Sequence, residues 1–196
     1  MSNPLIPPRW ATSRLSVEDS TLAEATELQQ VHDACAYIEA WTGALSDSQQ
    51  AQSMLSALQG GDLPPGGSKE FFRLQSIRLK ATSQLIGFAD VYHGYPTPDI
   101  FWVGFLGIHP AYQGQGYGRE FVQGLIEVVA ELHAYSAIRL GVALKNWPAL
   151  RFWTAAGFNR VVEIRGDKVY SDSSFAFLYL ERRLKVAGIM RAKQNS

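Results

Sequence analysis

Alternating glycines in the middle of the chain are the strongest chemical signal in the sequence. The segment Gln113-Gly114-Gln115-Gly116-Tyr117-Gly118 follows an apolar run over 100–108 and precedes an amphipathic run. Alternate glycines let the backbone turn sharply and let a ligand approach closely. The free N–H groups at the start of the following helix, together with the helix dipole, bind phosphate oxygens. These residue types at this spacing therefore predict a ligand that carries phosphate.

Two other glycine loops do not fit the segment. A dinucleotide fingerprint G-x-G-x-x-G that began at Gly114 would need glycine at position 119, where the chain has Arg119. A phosphate loop that ends Gly-Lys-Ser or Gly-Lys-Thr is absent from the sequence. A nucleotide-binding module of the Rossmann type is therefore disfavoured. An ordinary turn between a strand and a helix stays an alternative for the glycines alone.

A second motif lies downstream and reads Asn-Trp-Pro-Ala-Leu-Arg-Phe-Trp-Thr-Ala-Ala-Gly-Phe over residues 146–158. Asn146 can cap a helix, Pro148 is compatible with a first helical turn, and Gly157 can supply the turn that ends the helix. A plain helix cap is the alternative meaning of Asn146, and capping is compatible with ligand contact.

Together the two motifs resemble those of the GNAT superfamily of N-acetyltransferases. Gln113-x-x-Gly116-x-Gly118, after a strand that ends Leu106-Gly107-Ile108, is similar to the family's acyl-CoA signature, and the second motif resembles the segment after the fifth strand. The resemblance implies an α/β fold with a central mixed sheet flanked by helices. It also implies transfer of an acetyl group from acetyl-CoA to a primary amine of a small molecule, an amino acid or a peptide, by direct attack in a ternary complex.

The resemblance further implies how coenzyme A is held. The exposed edge of the central strand bonds the pantetheine amides, the glycine loop binds the pyrophosphate, and Asn146 contacts the pantetheine arm. Gly107, which has no side chain, permits a bulge and a close approach of the ligand. Arg119 either reaches a phosphate or is a solvated helix residue. The implied cofactor-binding residues are Leu106, Gly107, Ile108, Gln113, Gly114, Gln115, Gly116, Tyr117, Gly118, Arg119, Asn146, Phe152 and Trp153.

Two side chains that the resemblance leads one to expect are missing. Trp102 stands where histone-type members carry a catalytic Glu, and Trp153 stands where many members carry an acidic Tyr; an indole N–H donates a hydrogen bond but supplies no proton at neutral pH. The candidate catalytic residues are Asp90 and Tyr92. His93 and Asp99 are further candidates for moving a proton.

Each catalytic candidate has a structural alternative, since a charge at a strand end or a core aromatic is the commoner meaning. Two other residues are assigned structural roles: His109 to the turn after the central strand and Cys35 to packing. The chemistry needs no covalent nucleophile, because a backbone N–H near Leu106 can stabilise the oxyanion. The alternative function is a non-catalytic acyl-CoA-binding sensor, which would explain why the two side chains are missing.

The resemblance implies that the first helices and the loop after the third strand wall the acceptor site. By the resemblance, Tyr37, Trp41, Tyr95 and Trp102 lie near the substrate, beside Tyr92. Such a wall suits an amine with an apolar or planar part. The alternative is that these aromatic residues belong to the core.

The elements that must position these residues follow from periodicity and turn signals. An extended arm is expected over 1–9, and the strand over 70–80 alternates as if one face were solvated. Strands 100–108 and 137–144 should be parallel, since a helix crossover joins them. The expected strands are 14–18, 70–80, 85–93, 100–108, 137–144, 160–165 and 175–182, and the expected helices are 22–41, 48–58, 117–132 and one that begins after Asn146. One domain over 1–184 and a loose tail over 185–196 are predicted.

The composition of the chain limits the kinds of partner that it is expected to bind. The chain has 196 residues with 18 Lys plus Arg and 18 Asp plus Glu, so its formal net charge is zero. We therefore expect neither nucleic acid nor a membrane as main partner, because both favour a basic face, and we expect no metal. A single cysteine and the absence of a signal-like N-terminus or long apolar run favour a cytoplasmic location. Whether the chain forms a homodimer is left open.

Overall fold

The structure is a computed structural model that describes residues 4–42, 54–60, 63–169 and 171–185. Its sheet has eight strands: β1 (Arg9–Ala11), β2 (Leu15–Asp19), β3 (Phe72–Leu79), β4 (Leu85–His93), β5 (Ile100–Ile108), β6 (Ala137–Ala143), β7 (Arg160–Gly166) and β8 (Ala176–Arg183). The α-helices within the described ranges are α1 (Ala25–Ala34), α2 (Glu39–Thr42), α3 (Met54–Leu58), α4 (Tyr117–Glu131) and α5 (Trp147–Ala155). The helices flank a mixed sheet, as the sequence predicts.

The strand order is β1-β2-β3-β4-β5-β6-β8-β7, and every neighbouring pair is antiparallel except β5 and β6. The parallel pair follows from the connection between its strands, because α4 carries the chain back to the same end of the sheet. The two parallel strands occupy the centre of the sheet. The glycine loop over 113–118, which is predicted to bind phosphate, therefore follows the carboxyl end of a central strand.

The two parallel strands separate before β5 ends. Their register covers Ile100 to Val103 on β5 and Ala137 to Leu140 on β6. Residues 105–108 continue to pair with β4 on the other side. Among the described residues, this stretch of β5 has no register partner on β6, so the edge of a central strand is open to a ligand.

A bulge lies at the point where β5 and β6 separate. Asp90 pairs with Phe105 and Val91 pairs with Val103, which leaves Gly104 as the extra residue on β5. The sequence predicts that a bulge is permitted at Gly107, which is three residues further along β5. Gly107 has a different reason to be glycine, because a Cβ there would lie 2.6 Å from Cε1 of Phe105.

Two apolar clusters hold the layers together. The larger lies between the sheet and the helices α4 and α5, and Phe101, Phe121 and Phe158 are its largest fully buried side chains. The smaller lies on the other face, where α1 contributes Leu28 and Val31. Burial of the α4 residues follows the apolar periodicity of the sequence, so the helix position was predictable from pattern alone.

The N-terminal third departs most from the sequence-based expectations. The sequence predicts an extended arm over 1–9 and no strand before residue 14, but residues 9–11 form a strand, in which Trp10 is buried and donates its indole N–H to Gln75 Oε1 at 2.9 Å. The helix expected over 22–41 is interrupted after Ala34, where the Cys35 N–H bonds back to the His32 carbonyl at 2.8 Å in a tighter turn. Part of the helix expected over 48–58 lies outside the described residues, and the described part is α3.

Strand β3 does not have the solvated face that its alternation predicts. Four consecutive residues, 74–77, are buried. The Gln75 amide donates to Asp19 Oδ1 at 2.9 Å, and the Ser76 hydroxyl donates to Glu24 Oε1 at 3.2 Å. These partners satisfy the hydrogen-bonding groups of Gln75 and Ser76. Polar residues of β3 can therefore be buried, and the alternation of polar and apolar residues does not indicate a solvated face. The predicted tail is described only to Lys185, and residues 186–196 lie outside the described part.

Candidate active site

The glycine loop turns the chain from β5 into α4. Gly114 and Gly116 have φ angles of +75° and +84°, in the left-handed region that favours glycine. Gly116 immediately precedes α4, whose first N–H groups have no acceptor within the helix. A Cβ at Gly114 would meet no heavy atom within 4 Å, and a Cβ at Gly116 would approach only Arg14 Nη2, at 3.4 Å. The loop therefore presents main-chain donors beside open space.

Arg14 ties the glycine loop to the N-terminal hairpin. Its Nε donates to Glu120 Oε2 at 2.6 Å, its Nη1 donates to the Gln115 carbonyl at 3.2 Å, and its guanidinium carbon lies 4.4 Å from the centroid of the Tyr117 ring. Burial by itself raises the pKa of Glu120, but hydrogen bonds from Thr12 and Arg14 outweigh it and hold that pKa below its usual value. Because 106 residues separate Arg14 from Glu120, no local motif marks this contact.

Helix α5 supplies the second wall. The Asn146 side-chain oxygen accepts the Ala149 N–H at 3.1 Å, so Asn146 caps the helix as its sequence position predicts. A Cβ at Gly118 would lie 3.5 Å from the Phe152 ring, which shows how closely α4 and α5 approach. Trp153 is buried, and its ring contacts those of Phe152 and Phe158 at centroid distances of 5.0 and 5.1 Å.

A cavity of about 710 Å³ lies between the glycine loop, α5 and the segment that joins α1 to α2. Its lining contains every predicted cofactor residue except Gln115, whose side-chain amide donates instead to the Ala111 carbonyl at 3.0 Å. The predicted residues that line it are Leu106, Gly107, Ile108, Gln113, Gly114, Gly116, Tyr117, Gly118, Arg119, Asn146, Phe152 and Trp153. The structure thus brings two distant motifs and the open edge of β5 to one cavity.

Five further residues line the cavity without having been predicted as ligand contacts. They are Cys35, Ile38, Tyr112, Pro148 and Ala149. Pro148 and Ala149 lie within the second motif and could have been added from it, whereas the others carry no sequence signal. Burial raises the pKa of the Cys35 thiol to about 11, so the thiol stays neutral near pH 7 and is a poor nucleophile.

A series of side-chain contacts closes the cavity on the side of the first helices. The Gln113 amide nitrogen donates to the Tyr37 hydroxyl and to the Ile108 carbonyl, both at 2.7 Å. The Tyr37 ring meets the Trp41 ring edge-on at a centroid distance of 5.7 Å. Tyr37 and Trp41 therefore lie at the cavity, whereas Tyr95 and Trp102, which were predicted with them, do not line it.

The remaining predicted residues meet on the α1 side of the sheet, in a surface that we call the aromatic face. It consists of Asp90 and Tyr92 on β4, Trp102 and Gly104 on β5, Arg139 on β6 and Tyr179 on β8, with Tyr95 above them. Gly104 is exposed although it lies in the middle of a central strand. A Cβ there would lie 1.9 Å from Asp90 Oδ1, so the carboxylate occupies the space beside this glycine.

Aromatic rings form a continuous row across this face. Trp102 contacts Tyr95 at a centroid distance of 5.5 Å and Tyr179 at 5.8 Å, and Tyr92 contacts Tyr95 at 6.4 Å. The Tyr92 hydroxyl accepts the Ser68 N–H at 2.7 Å. Tyr179 lies over Gly141 of β6, whose missing side chain lets the ring reach across that strand. Tyr179 was not predicted, because its strand is distant in sequence.

His93 and Asp99 are both engaged elsewhere. His93 is buried, its Nε2 accepts the Ile6 N–H at 3.0 Å, and its Nδ1 faces the Phe71 carbonyl at 2.7 Å. Burial lowers the pKa of His93 to about 4, so its lone pair holds the N-terminal arm and is not available as a base. The Asp99 carboxylate accepts hydrogen bonds from Ser136 and Thr97, at the start of β5 and away from the open edge.

The chain and its fold were compared with known proteins. A model of the acetyltransferase (GNAT) family matches residues 48–158. Spermine/spermidine N(1)-acetyltransferase of Bacillus subtilis (strain 168) is 28% identical over 134 residues, which cover 64% of this chain and 88% of that protein. A probable spermine N(1)-acetyltransferase of Bacillus subtilis subsp. natto matches over the same extent.

Solved structures share the fold at low sequence identity. RimL, a ribosomal L7/L12 alpha-N-protein acetyltransferase in complex with coenzyme A, has a TM-score of 0.70 at 13% identity, with 93% of this chain and 99% of that chain covered. An acetyltransferase from Thermus thermophilus has a TM-score of 0.63 at 20% identity, with 89% and 100% covered. Separately, the described helices include none that is long and apolar enough to span a membrane.

Proposed function

The chain belongs to the acetyltransferase (GNAT) family and is an acyltransferase, and from this premise we propose that it moves an acetyl group from acetyl-CoA to a primary amine of a small molecule, an amino acid or a peptide. The observation that carries the proposal is the cavity that joins the open edge of β5 to the glycine loop and α5. Relatives named as N-acetyltransferases support an enzyme and not a non-catalytic sensor.

The residues present suit coenzyme A. The N–H groups at the start of α4 are donors for phosphate oxygens. The positive φ of Gly116 favours glycine, which places no side chain beside these donors. Leu106, Gly107 and Ile108 of β5 can bond the pantetheine amides as a partner strand would. Asn146 uses its side-chain oxygen for the helix cap, which leaves its NH₂ group as a donor for the ligand. Acetyl-CoA would supply an acetyl group that its thioester already activates.

The acceptor amine would approach from the aromatic face. Asp90 lies beside exposed Gly104, where β5 and β6 separate, and we assign it to hold the acceptor ammonium and take up its proton. Tyr92 lies on the same face, two residues along β4. Backbone N–H groups near Leu106 would stabilise the negative charge that develops on the carbonyl oxygen. Trp153 packs between two rings, so it contributes shape and no proton.

The substrate class follows from the lining and from charge. An aromatic row suits an amine with an apolar or planar part, and zero net charge offers no general attraction to polybasic peptides or nucleic acid. Relatives named for spermine and spermidine act on small amines, which supports a small acceptor here. We therefore expect small amines to be better substrates than histone tails. A polybasic peptide as best substrate, with activity falling steeply as salt rises, would contradict this.

Two measurements test the proposal. Coenzyme A at about 100 times its dissociation constant should add about 2.7 kcal/mol of stability, which raises the melting temperature by about 5–10 °C in a domain of this size. NAD and ATP are the controls and should give no shift. Release of free thiol from acetyl-CoA, followed across a panel of primary amines, then measures transfer. No stabilisation by millimolar coenzyme A would refute the proposed cofactor.

A further inference from the structure

Arginines converge on one buried carboxylate beside the aromatic face. Glu181 on β8 accepts Arg139 Nε at 2.7 Å and is also bonded by Arg160, while Arg183 Nε lies 3.6 Å from it. The Glu181 side chain is only 3% exposed. Burial by itself raises the pKa of Glu181, but hydrogen bonds from Arg139 and Arg160 outweigh it and hold that pKa below its usual value. The carboxylate is therefore ionised at neutral pH.

The cluster carries more positive charge than its carboxylate needs. Arg139, Arg160 and Arg183 bring three guanidinium groups to a single glutamate, which leaves a formal excess of two positive charges. Asp99 also acts electrostatically on Arg139, and its hydrogen bonds from Ser136 and Thr97 come from neutral hydroxyls, so counting this second carboxylate against the three guanidinium groups reduces the formal excess to one positive charge. Each guanidinium has five N–H donors, so the donors outnumber the carboxylate oxygens that they meet. Such an excess suits an additional anion.

The cluster lies in the row of side chains that crosses the aromatic face. Arg139 is the register partner of Trp102 on β5 and of Glu181 on β8, and Glu181 pairs with Arg160 on β7. Cross-strand partners share a face of the sheet, so these groups lie on the same side as Trp102. Trp102 precedes Gly104 by two residues, which is about 7 Å along a strand. Arg139 is thus offset from Gly104 by two residues along the strand and by one strand spacing, and from Asp90 by two strand spacings, which a short extended ligand can span.

We propose that the acceptor carries a carboxylate, which Arg139 binds with the help of Arg160 and Arg183, while its amine lies near Asp90. This inference rests on the proposed function and narrows its substrate class. The aromatic row between the two charged ends would hold a planar or apolar middle part. A short peptide with an aromatic residue and a free carboxyl end has this arrangement, whereas a free amino acid does not, because its amine and carboxylate share one Cα. A polyamine does not, because it would bring cations to the arginines.

The test compares each carboxylate acceptor with its own carboxamide. Dipeptides with an aromatic second residue and their carboxamides are acetylated in parallel, with spermidine as a cationic comparison. The measured quantity is the ratio of kcat/KM for the acid to kcat/KM for the amide, which cancels any difference in the fraction of folded enzyme. We expect the acid to be preferred about tenfold or more, as for a hydrogen bond to a charged group.

Two variants with opposite expected effects separate recognition from a structural role. Arg139→Gln should bring the ratio close to one, whereas Glu181→Gln removes the competing carboxylate and should raise the ratio. A purely structural cluster would lower all rates in both variants and leave the ratio unchanged. Arg183→Gln should lower the ratio by a smaller factor. Its matched control is Arg9→Gln, since Arg9 is equally exposed at 74%, is also paired with a glutamate, and lies on the far edge strand.

The outcomes are distinguishable. A wild-type ratio near one, a ratio that Arg139→Gln leaves unchanged, or spermidine as the best acceptor would overturn the carboxylate site and leave N-acetyl transfer intact. If no amine is acetylated, the proposed function fails, and calorimetric binding of the same acid and amide pairs to the protein with coenzyme A tests the carboxylate site alone. Equal binding of acid and amide would then overturn it, and preferential binding of the acid that Arg139→Gln abolishes would support it.

Discussion

The cavity at the glycine loop and the aromatic face are built in different ways. The cavity uses main-chain groups and caps from two continuous segments, the glycine loop at 113–119 and the start of α5. The aromatic face takes one or two residues from each of four strands, β4, β5, β6 and β8, that extend over residues 85–183. Main-chain recognition needs glycines at fixed spacing and so leaves a motif, whereas recognition by side chains across strands leaves none. Substitutions in the cavity and on the aromatic face should therefore have separable effects on coenzyme A binding and on acceptor turnover.

The largest effect is expected from a charge in the glycine loop. Gly116→Asp places a carboxylate beside the proposed phosphate site and should weaken coenzyme A binding by about a hundredfold or more, because like charges in contact cost several kcal/mol. Asp tolerates the left-handed conformation better than most residues, so the protein should fold. Gly116→Asn has the same shape without the charge and should lose far less. Calorimetry measures both, and equal affinity in the Asp variant and the wild type would place the phosphates elsewhere.

The next effect is on stability, and it tests whether His93 has a structural role and no role in the reaction. The folded protein keeps His93 neutral with its pKa lowered to about 4, whereas the unfolded chain takes up a proton below about pH 6.5. Stability from this group is therefore complete above pH 6.5 and falls as the pH drops towards 4, by about 3 kcal/mol in all.

His93→Gln, which can keep both hydrogen bonds, should lose this part of the acid dependence. Urea unfolding of both proteins at pH 7.5 and 4.5 measures the change in the free energy of unfolding between the two pH values. The contribution of the carboxylates to that change is the same in both proteins and cancels in the difference. Acetyl transfer at pH 7.5 should be unchanged. A large fall in kcat with coenzyme A binding intact would instead make His93 part of the reaction.

A smaller effect is expected from a methyl group on the aromatic face. Gly104→Ala must displace the Asp90 carboxylate, because the new Cβ would lie 1.9 Å from Oδ1. We expect kcat/KM for the acceptor to fall about tenfold or more, within the usual contribution of a general base, while coenzyme A affinity stays unchanged. Gly141→Ala is the matched control, since its Cβ would meet the Tyr179 ring at an ordinary 3.6 Å. An equal loss of coenzyme A affinity in Gly104→Ala would show that the two regions are not separable.

The smallest effect is expected at Trp153, which lines the cavity. Trp153→Phe should keep the rate within about threefold, because loss of a general acid typically costs about a hundredfold and an indole is not one. The smaller ring should cost about 1–2 kcal/mol of stability through the space that it leaves. The pH dependence of kcat/KM should be the same in both proteins. A hundredfold fall in kcat would give Trp153 a catalytic role that its burial argues against.

Sequence reasoning succeeded where a local rule decides the structure. Pro110 and the glycines mark the end of β5 and the start of α4, and the apolar period of α4 marks its buried side. The two motifs brought twelve of the thirteen predicted cofactor residues to one cavity, with Gln115 the exception. The N-terminal third was predicted less well, because Trp10 and Asp19 each bond Gln75, which lies on β3 and is distant in sequence.

By itself, the sequence determined the family, the order of the central elements and the loop that faces the cavity, because glycine conformation and helix capping act over a few residues. Only the tertiary structure decided what lies around that loop: Arg14 against Glu120, Tyr37 against Gln113, and Asp90 beside Gly104. It alone also decided that three arginines surround Glu181. The physical reason is that a side chain's partner across a sheet depends on strand order and register, which folding sets and local spacing does not.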